Sequence, residues 1–182
     1  MAINKICESF EAAVSGIKDG STILVSGFGG AGMPTELLNA LREQGASELT
    51  IVSNNAGVGK EGIGGLLLDG RVKKVICSYP RSGGSVVFEE MWAAGKVDLE
   101  VVPQGTLSER IRAAGAGIGG FYTPTGVGTQ LAEGKEVREI NGRLQVLEAP
   151  LKGDVAFILA RQSDRWGNLV YNKSARNFGP VM

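Results

Sequence analysis

The chain of 182 residues contains no histidine. Within the chain itself this excludes a Ser-His-Asp or Cys-His nucleophile and any metal site that needs an imidazole. Cysteine is nearly as scarce, with only Cys7 and Cys77. One falls in a helical pattern and the other in an apolar strand pattern, so both read as reduced and buried rather than as a disulfide or a reactive thiol. A zinc site, or any other metal site, is not expected. An excess of either charge is missing too: 19 Lys and Arg face 19 Asp and Glu. No basic block stands out, so neither nucleic acid nor an anionic membrane is an expected partner. No run approaches the roughly 20 apolar residues of a transmembrane helix. The segment after Lys5 lacks the continuous apolar core of a signal peptide, and the expected location is the cytoplasm.

Glycine, by contrast, is abundant at 28 residues, clustered in short loops without collagen or linker periodicity. Such clusters predict tight turns and close backbone approaches. Between them, strand-like and helix-like runs alternate. Ile3, Ile6, Phe10, Val14 and Ile17 recur at helical spacing and predict a helix over 3–18. Strands are expected over 22–26, 49–53, 73–79 and 98–102. Helices are expected from Pro34 to Gly45 and over 63–68, 86–94 and 106–114, the last opened by a Thr106–Glu109 capping box. Four strand-then-helix units in succession imply an α/β fold: an open, mainly parallel sheet with helices on both faces. After Gly115 the pattern changes to a C-terminal β-hairpin region. Asn141-Gly142 sits between two strand-like runs, the strongest short-range hairpin signal. A buried-type strand over 154–161 follows, then a turn at Asp164 to Asn168 with Leu169 to Tyr171 pairing back.

Gly27-Phe28-Gly29-Gly30-Ala31-Gly32 formally matches the dinucleotide fingerprint G-x-G-x-x-G between a strand and a helix. That fingerprint also requires an acidic residue about 20 positions on, to hold the ribose. The chain has Val52-Ser53-Asn54-Asn55 there, so NAD is not expected. The loop remains either a packing turn or a place where backbone N–H groups meet a ligand beside a helix N-terminus.

The loop does not stand alone. Ser26 to Pro34 resembles the glycine-loop motif of the α-type subunits of class I CoA-transferases. Ser53-Asn54-Asn55-Ala56-Gly57 is similar to a second block of that family. Pro103-Gln104-Gly105-Thr106-Leu107 with Glu109-Arg110-Ile111-Arg112 resembles a third. Gly115-Ala116-Gly117 through Phe121 to Thr129, Asp164 to Leu169, and Ala175-Arg176-Asn177-Phe178 complete six blocks in family order along nearly the whole chain. Within the family, Ser78-Tyr79-Pro80-Arg81 and Val87-Phe88-Glu89-Glu90 are more similar to the branch acting on 3-oxoadipate than to the branch acting on acetoacetate. The family's α-type polypeptides continue beyond the last block with further strand-forming sequence. The resemblance therefore implies that residues 1–182 form a single α-type domain lacking that C-terminal extension.

The resemblance implies a reaction: CoA passes from succinyl-CoA to a 3-oxoacid by a ping-pong route through a glutamyl-CoA thioester. The glutamate belongs to a β-type partner in a heterodimer or heterotetramer, and no matching motif is present here. A carboxylate is ionised at neutral pH and needs no histidine base. This half would supply the CoA cradle, Ser26, Gly27, Phe28, Gly29, Gly30, Ala31 and Gly32, and an amide donor, Gln104, facing the thioester carbonyl. Taken singly, Gln104 reads as a turn glutamine bonding local backbone; the block around it favours the donor role. An oxyanion donor is worth about 2.7–4 kcal/mol in the transition state. Asn54 and Asn55 are either turn formers or hydrogen-bond partners of the acyl carboxylate and pantetheine amides. Arg81 is either a solvated surface cation or the bidentate partner of a distal carboxylate. Phe121, Tyr122 and Trp166 read as core or interface aromatics, and Glu109, Arg110 and Arg112 as helix-face charges. CoA is the only cofactor expected, as the acyl-CoA substrate. The competing class is a non-catalytic α/β sensor that binds an acyl-CoA or a sugar phosphate at the glycine loop.

Overall fold

The computed structural model describes residues 3–182. Five parallel strands form its main sheet: β1 (Thr22–Val25), β2 (Leu49–Val52), β3 (Val72–Cys77), β4 (Asp98–Val101) and β8 (Val155–Phe157), in the spatial order β4-β3-β2-β1-β8. The short strand segments are β-branched and apolar, and alternate residues point to opposite faces. Ile23, Val25, Ile51, Val75 and Cys77 face one core, while Leu24, Val52 and Ile76 face the other.

The first face is covered by α1 (Phe10–Val14), α2 (Thr35–Gln44), α3 (Ile63–Leu68) and α4 (Val86–Ala93). In α2, Leu38 and Leu41 are three residues apart, lie on one side of the helix and are completely buried. Truncating either to alanine would cost about 2–5 kcal/mol, the usual range for a core leucine. Gly45 ends this helix in the left-handed conformation, its N–H bonded to the Leu41 carbonyl. The second face is covered by α5 (Gln104–Gly115) through Leu107 and Ile111, with Phe178 beside them. The expected α/β sheet with helices on both faces is thus present.

A separate antiparallel sheet, β5 (Phe121–Thr123), β7 (Arg143–Glu148) and β6 (Val137–Ile140), carries the expected hairpin. Asn141 and Gly142 both have positive φ, +51° and +75°, as a two-residue hairpin turn of that hand requires. β9 (Gln162–Ser163) and β10 (Leu169–Val170) pair across the Asp164 turn. Asp164 accepts hydrogen bonds from the Asn168 side chain and from the Trp166 and Asn168 N–H groups.

Four expectations are corrected. The first helix starts at Phe10 rather than at residue 3, because the Ser9 hydroxyl caps it by accepting from the Ala12 N–H at 3.1 Å. The preceding segment bonds instead to the turn of the β9–β10 hairpin, Lys5 N–H to the Arg165 carbonyl, leaving Ile3 and Ile6 more than 60% exposed. Cys7 lies in that segment and is exposed, not buried. The capping box does not form: α5 begins two residues earlier, so Thr106 is buried inside the helix and Glu109 pairs with Arg112 at 2.7 Å. Finally, β8 stops at Phe157, because its neighbour β1 ends at Val25. Beyond it the Leu159 N–H turns to the Ser26 hydroxyl and Arg161 pairs with Val170.

Candidate active site

In a parallel sheet the loops leaving the carboxyl ends of the strands converge on one edge, most openly where the strand order reverses. Here β1 leads to β2, β3 and β4 on one side and has β8 on the other. The loop that follows β1 at that reversal is the glycine loop.

Ser26 anchors it. Its hydroxyl is buried, donates to the Gly32 carbonyl at 2.8 Å and accepts the Leu159 N–H at 3.2 Å. Inside the loop Phe28 and Ala31 exchange two backbone bonds, of 2.9 and 3.2 Å. The Gly29 and Gly30 N–H groups at the tip have no partner among the described residues. Gly32 has φ +78°, and a β-carbon there would come within 2.5 Å of the Ala175 carbonyl oxygen. The Asn177 side chain donates to the Ala31 carbonyl at 2.8 Å. The loop therefore lies against residues 175–177, which only a glycine at position 32 permits.

After β2, Asn54 and Asn55 are both buried. Asn55 accepts the Gly57 N–H at 3.0 Å, an Asx turn, and reaches the Gly29 carbonyl over a long 3.4 Å. The Asn54 Oδ1 accepts two hydrogen bonds, from the Ser78 hydroxyl at 2.7 Å and from Gln104 Nε2 at 2.7 Å. Gln104 itself is the first residue of α5, at the carboxyl end of β4, and is exposed. Together with Phe28, Ser108, Arg176, Asn177 and Phe178 it lines a cleft of about 330 Å³. The structure thus brings Gln104, Asn54, Asn55 and the glycine loop together.

Arg81 follows β3 at the same edge of the sheet. Its side chain is 76% exposed and pairs with Glu89 at 3.3 Å, and it does not line the Gln104 cleft. The guanidinium that does is Arg176, which has no ion-pair partner among the described residues. Neither Arg176 nor Ser78 is singled out by the sequence. Both fall inside family-like blocks, which are the available signal, but their contacts are with residues far away in the chain.

The cleft is framed by fixed charges further out. Glu100 on β4 accepts from Lys74 at 2.6 Å and from Arg110 at 3.0 Å. Burial pushes its carboxyl up, but the two hydrogen-bonded cations outweigh this and hold it below the ordinary carboxylate value. Arg110 also lies 3.9 Å from Glu148, a buried carboxylate paired with Lys135 at 2.7 Å, so α5 is tied to both sheets. Cys77 is buried beneath the site, and desolvation pushes its thiol up to about 12. It carries no thiolate at neutral pH. Among the described residues no three His, Cys, Asp or Glu side chains gather as metal ligands would, and no helix is long and apolar enough to cross a membrane.

One edge of the α/β sheet thus carries a glycine loop, paired asparagines and a helix-opening glutamine. The family model for coenzyme A transferase matches residues 7–182. The chain belongs to the coenzyme A transferase family. It is 62% identical over 180 residues to the A-type subunit of 3-oxoadipate CoA-transferase from Pseudomonas putida, covering 99% of this chain and 78% of that protein. It is 49% identical to the A-type subunit of a probable succinyl-CoA:3-ketoacid coenzyme A transferase from Bacillus subtilis, covering 98% and 74%. Among solved structures, an acyl-CoA transferase of Escherichia coli O157:H7 superposes with a TM-score of 0.78 at 25% identity, over 93% of this chain and 36% of that one. Nothing in these relatives favours the sensor reading.

Proposed function

We propose that this chain is the α-type half of a CoA-transferase that moves CoA from succinyl-CoA to a 3-oxoacid, with 3-oxoadipate the favoured acceptor and acetoacetate next. One observation carries the proposal. Gln104 and the glycine loop, 72 or more residues apart in the chain, share one cleft whose lining offers N–H, guanidinium and hydroxyl groups but no carboxylate or thiol. Such a lining can bind and polarise a thioester, yet its one serine hydroxyl has no base in the lining to activate it for attack. The attacking carboxylate would come from a β-type partner, seated opposite the cleft.

In this reading the tip N–H groups of Gly29 and Gly30 approach the CoA moiety. Gln104 Nε2 has two hydrogens, and Asn54 takes one. The second is available to the oxygen that gains charge as the partner's carboxylate adds to the thioester carbonyl. The first turn of α5 places the positive end of a helix dipole on the same side. Arg176 is better placed than Arg81 to meet a substrate anion, since it lines the cleft without a competing carboxylate.

The test is reconstitution with the partner subunit. Thioester formation from succinyl-CoA is followed with 3-oxoadipate and with acetoacetate as acceptor. Turnover is expected with both and faster with 3-oxoadipate; a folded complex that turns over neither contradicts the assignment. Gln104→Ala should lower kcat by about 10²–10³, the usual effect of losing one oxyanion donor, with the melting midpoint of the complex unchanged. An unchanged kcat would remove Gln104 from the reaction.

A further inference from the structure

A glutamine has three rotatable side-chain bonds, and opening a helix at the edge of a cleft does not by itself aim its amide. What holds the Gln104 amide is Asn54 Oδ1, and what holds Asn54 is the Ser78 hydroxyl. We propose that Ser78 is a positioning residue for the transferase reaction, setting the Gln104 amide through the Asn54 side chain. This inference rests on the function proposed above and deepens it.

Three observations carry it. First, both bonds to Asn54 Oδ1 are 2.7 Å long, ordinary for the hydroxyl donor and short for the amide donor, and between them they use both lone pairs of that oxygen. The Asn54 amide is thereby fixed with its oxygen toward Gln104. With the Asn54 amide alone turned over, two N–H groups would face each other. Second, Asn54 is 2% exposed, so its amide is oriented by protein partners rather than by bulk water. Third, the backbone there has bonds that do not involve the hydroxyl. The Ser78 and Tyr79 N–H groups already bond to the Asn54 carbonyl, at 3.2 and 2.9 Å, and Tyr79 bridges to Asn55 in parallel register. The loops after β2 and β3 are held by those contacts; the hydroxyl also lies 3.1 Å from the Asn54 carbonyl, but its shorter bond, at 2.7 Å, is to the Asn54 side chain.

The three residues come from the carboxyl ends of β2, β3 and β4, three adjacent strands. Ser78 is half-buried and does not line the Gln104 cleft, so it has no need to touch substrate. Its effect should fall on the rate of the chemical step rather than on substrate binding.

The experiment compares Ser78→Ala, Ser78→Thr, Gln104→Ala and the Ser78→Ala/Gln104→Ala double variant, each in the complex with the partner subunit. Ser78→Ala is expected to lower kcat about five- to tenfold, as the loss of one neutral hydrogen bond would, with KM within about twofold and the melting midpoint unchanged. Ser78→Thr, which keeps the hydroxyl, should restore kcat. In the Gln104→Ala background, removing the hydroxyl should cost nothing further, because its effect passes through Gln104. Additive losses in the double variant, or no loss in Ser78→Ala, overturn the proposal. A second measurement does not depend on turnover. With glutamine side chains labelled in ¹⁵N and the Gln104 signal assigned by its absence in Gln104→Ala, the two amide protons should be well separated in the wild type and converge in Ser78→Ala. Unchanged signals overturn the proposal even if the complex is active. Changed signals in a complex that transfers no CoA would sustain the positioning while refuting the reaction.

Discussion

Gly32 shows how a single residue can decide whether the site exists. Its φ of +78° disfavours any other side chain, and an added methyl would press on the Ala175 carbonyl oxygen. Gly32→Ala is expected to destabilise the chain by about 2–3 kcal/mol, combining left-handed strain with overpacking, and to raise KM for the acyl-CoA by shifting the loop. Urea unfolding and steady-state kinetics check the two effects. The thiols make a cleaner residue-scale contrast. Cys7 is exposed, while burial pushes Cys77 up to about 12. At pH 8 a water-soluble disulfide reagent should modify one thiol per chain, Cys7, and reach Cys77 only after denaturant is added. Two fast-reacting thiols in the folded protein would contradict the burial. The sequence could not separate these cysteines. Helical spacing around Cys7 points to burial, but the Ser9 cap ends the helix before it reaches position 7.

At the scale of elements, the β–α alternation was legible because each unit is short and punctuated by glycine. The α3 bounds match the expectation, and Asn141-Gly142 turns as expected. What the chain order concealed were choices between competing partners. Thr106 looked like a cap but became a buried residue of α5, and Glu109 took Arg112 instead. Residues 158–161 read as a continuation of the strand, but β1 ends at Val25, and Leu159 and Arg161 turn instead to Ser26 and Val170. Likewise, Gln104 and Asn54 were each legible as candidates, while their 2.7 Å contact across 50 residues was not.

The position of α5 depends on the Glu100–Arg110–Glu148 charges. Arg110→Ala should cost about 2 kcal/mol in urea unfolding, the range for losing hydrogen bonds from a charged group, because Lys74 and Lys135 still neutralise the two carboxylates. Glu100 has its pKa lowered in the folded state. Its stabilising contribution is therefore complete above the unfolded carboxylate value, about 4.3, and is lost as pH falls through the lower folded value. The stability gap between wild type and Glu100→Gln should be full at pH 7 and narrow below about pH 4. A gap that widens on acidification would contradict the assignment of Lys74 and Arg110 as the dominant partners.

Across the whole molecule, one edge of the parallel sheet gathers the glycine loop, Asn54, Asn55, Ser78 and Gln104. The other ends of the strands are given over to packing and turns. An open α/β sheet serves many reactions, and the reaction is decided by the groups at that edge. Here they are donors, suited to stabilising an oxyanion and holding a CoA thioester. In the proposed function this polypeptide supplies a preorganised electrostatic half-site, and the covalent chemistry falls to a second polypeptide. The most direct measurement incubates the complex with succinyl-CoA in the absence of acceptor and determines the intact mass of each polypeptide. A CoA adduct on the partner, with none on this chain, is the predicted result. An adduct on this chain, or acyl transfer without the partner, would contradict the account.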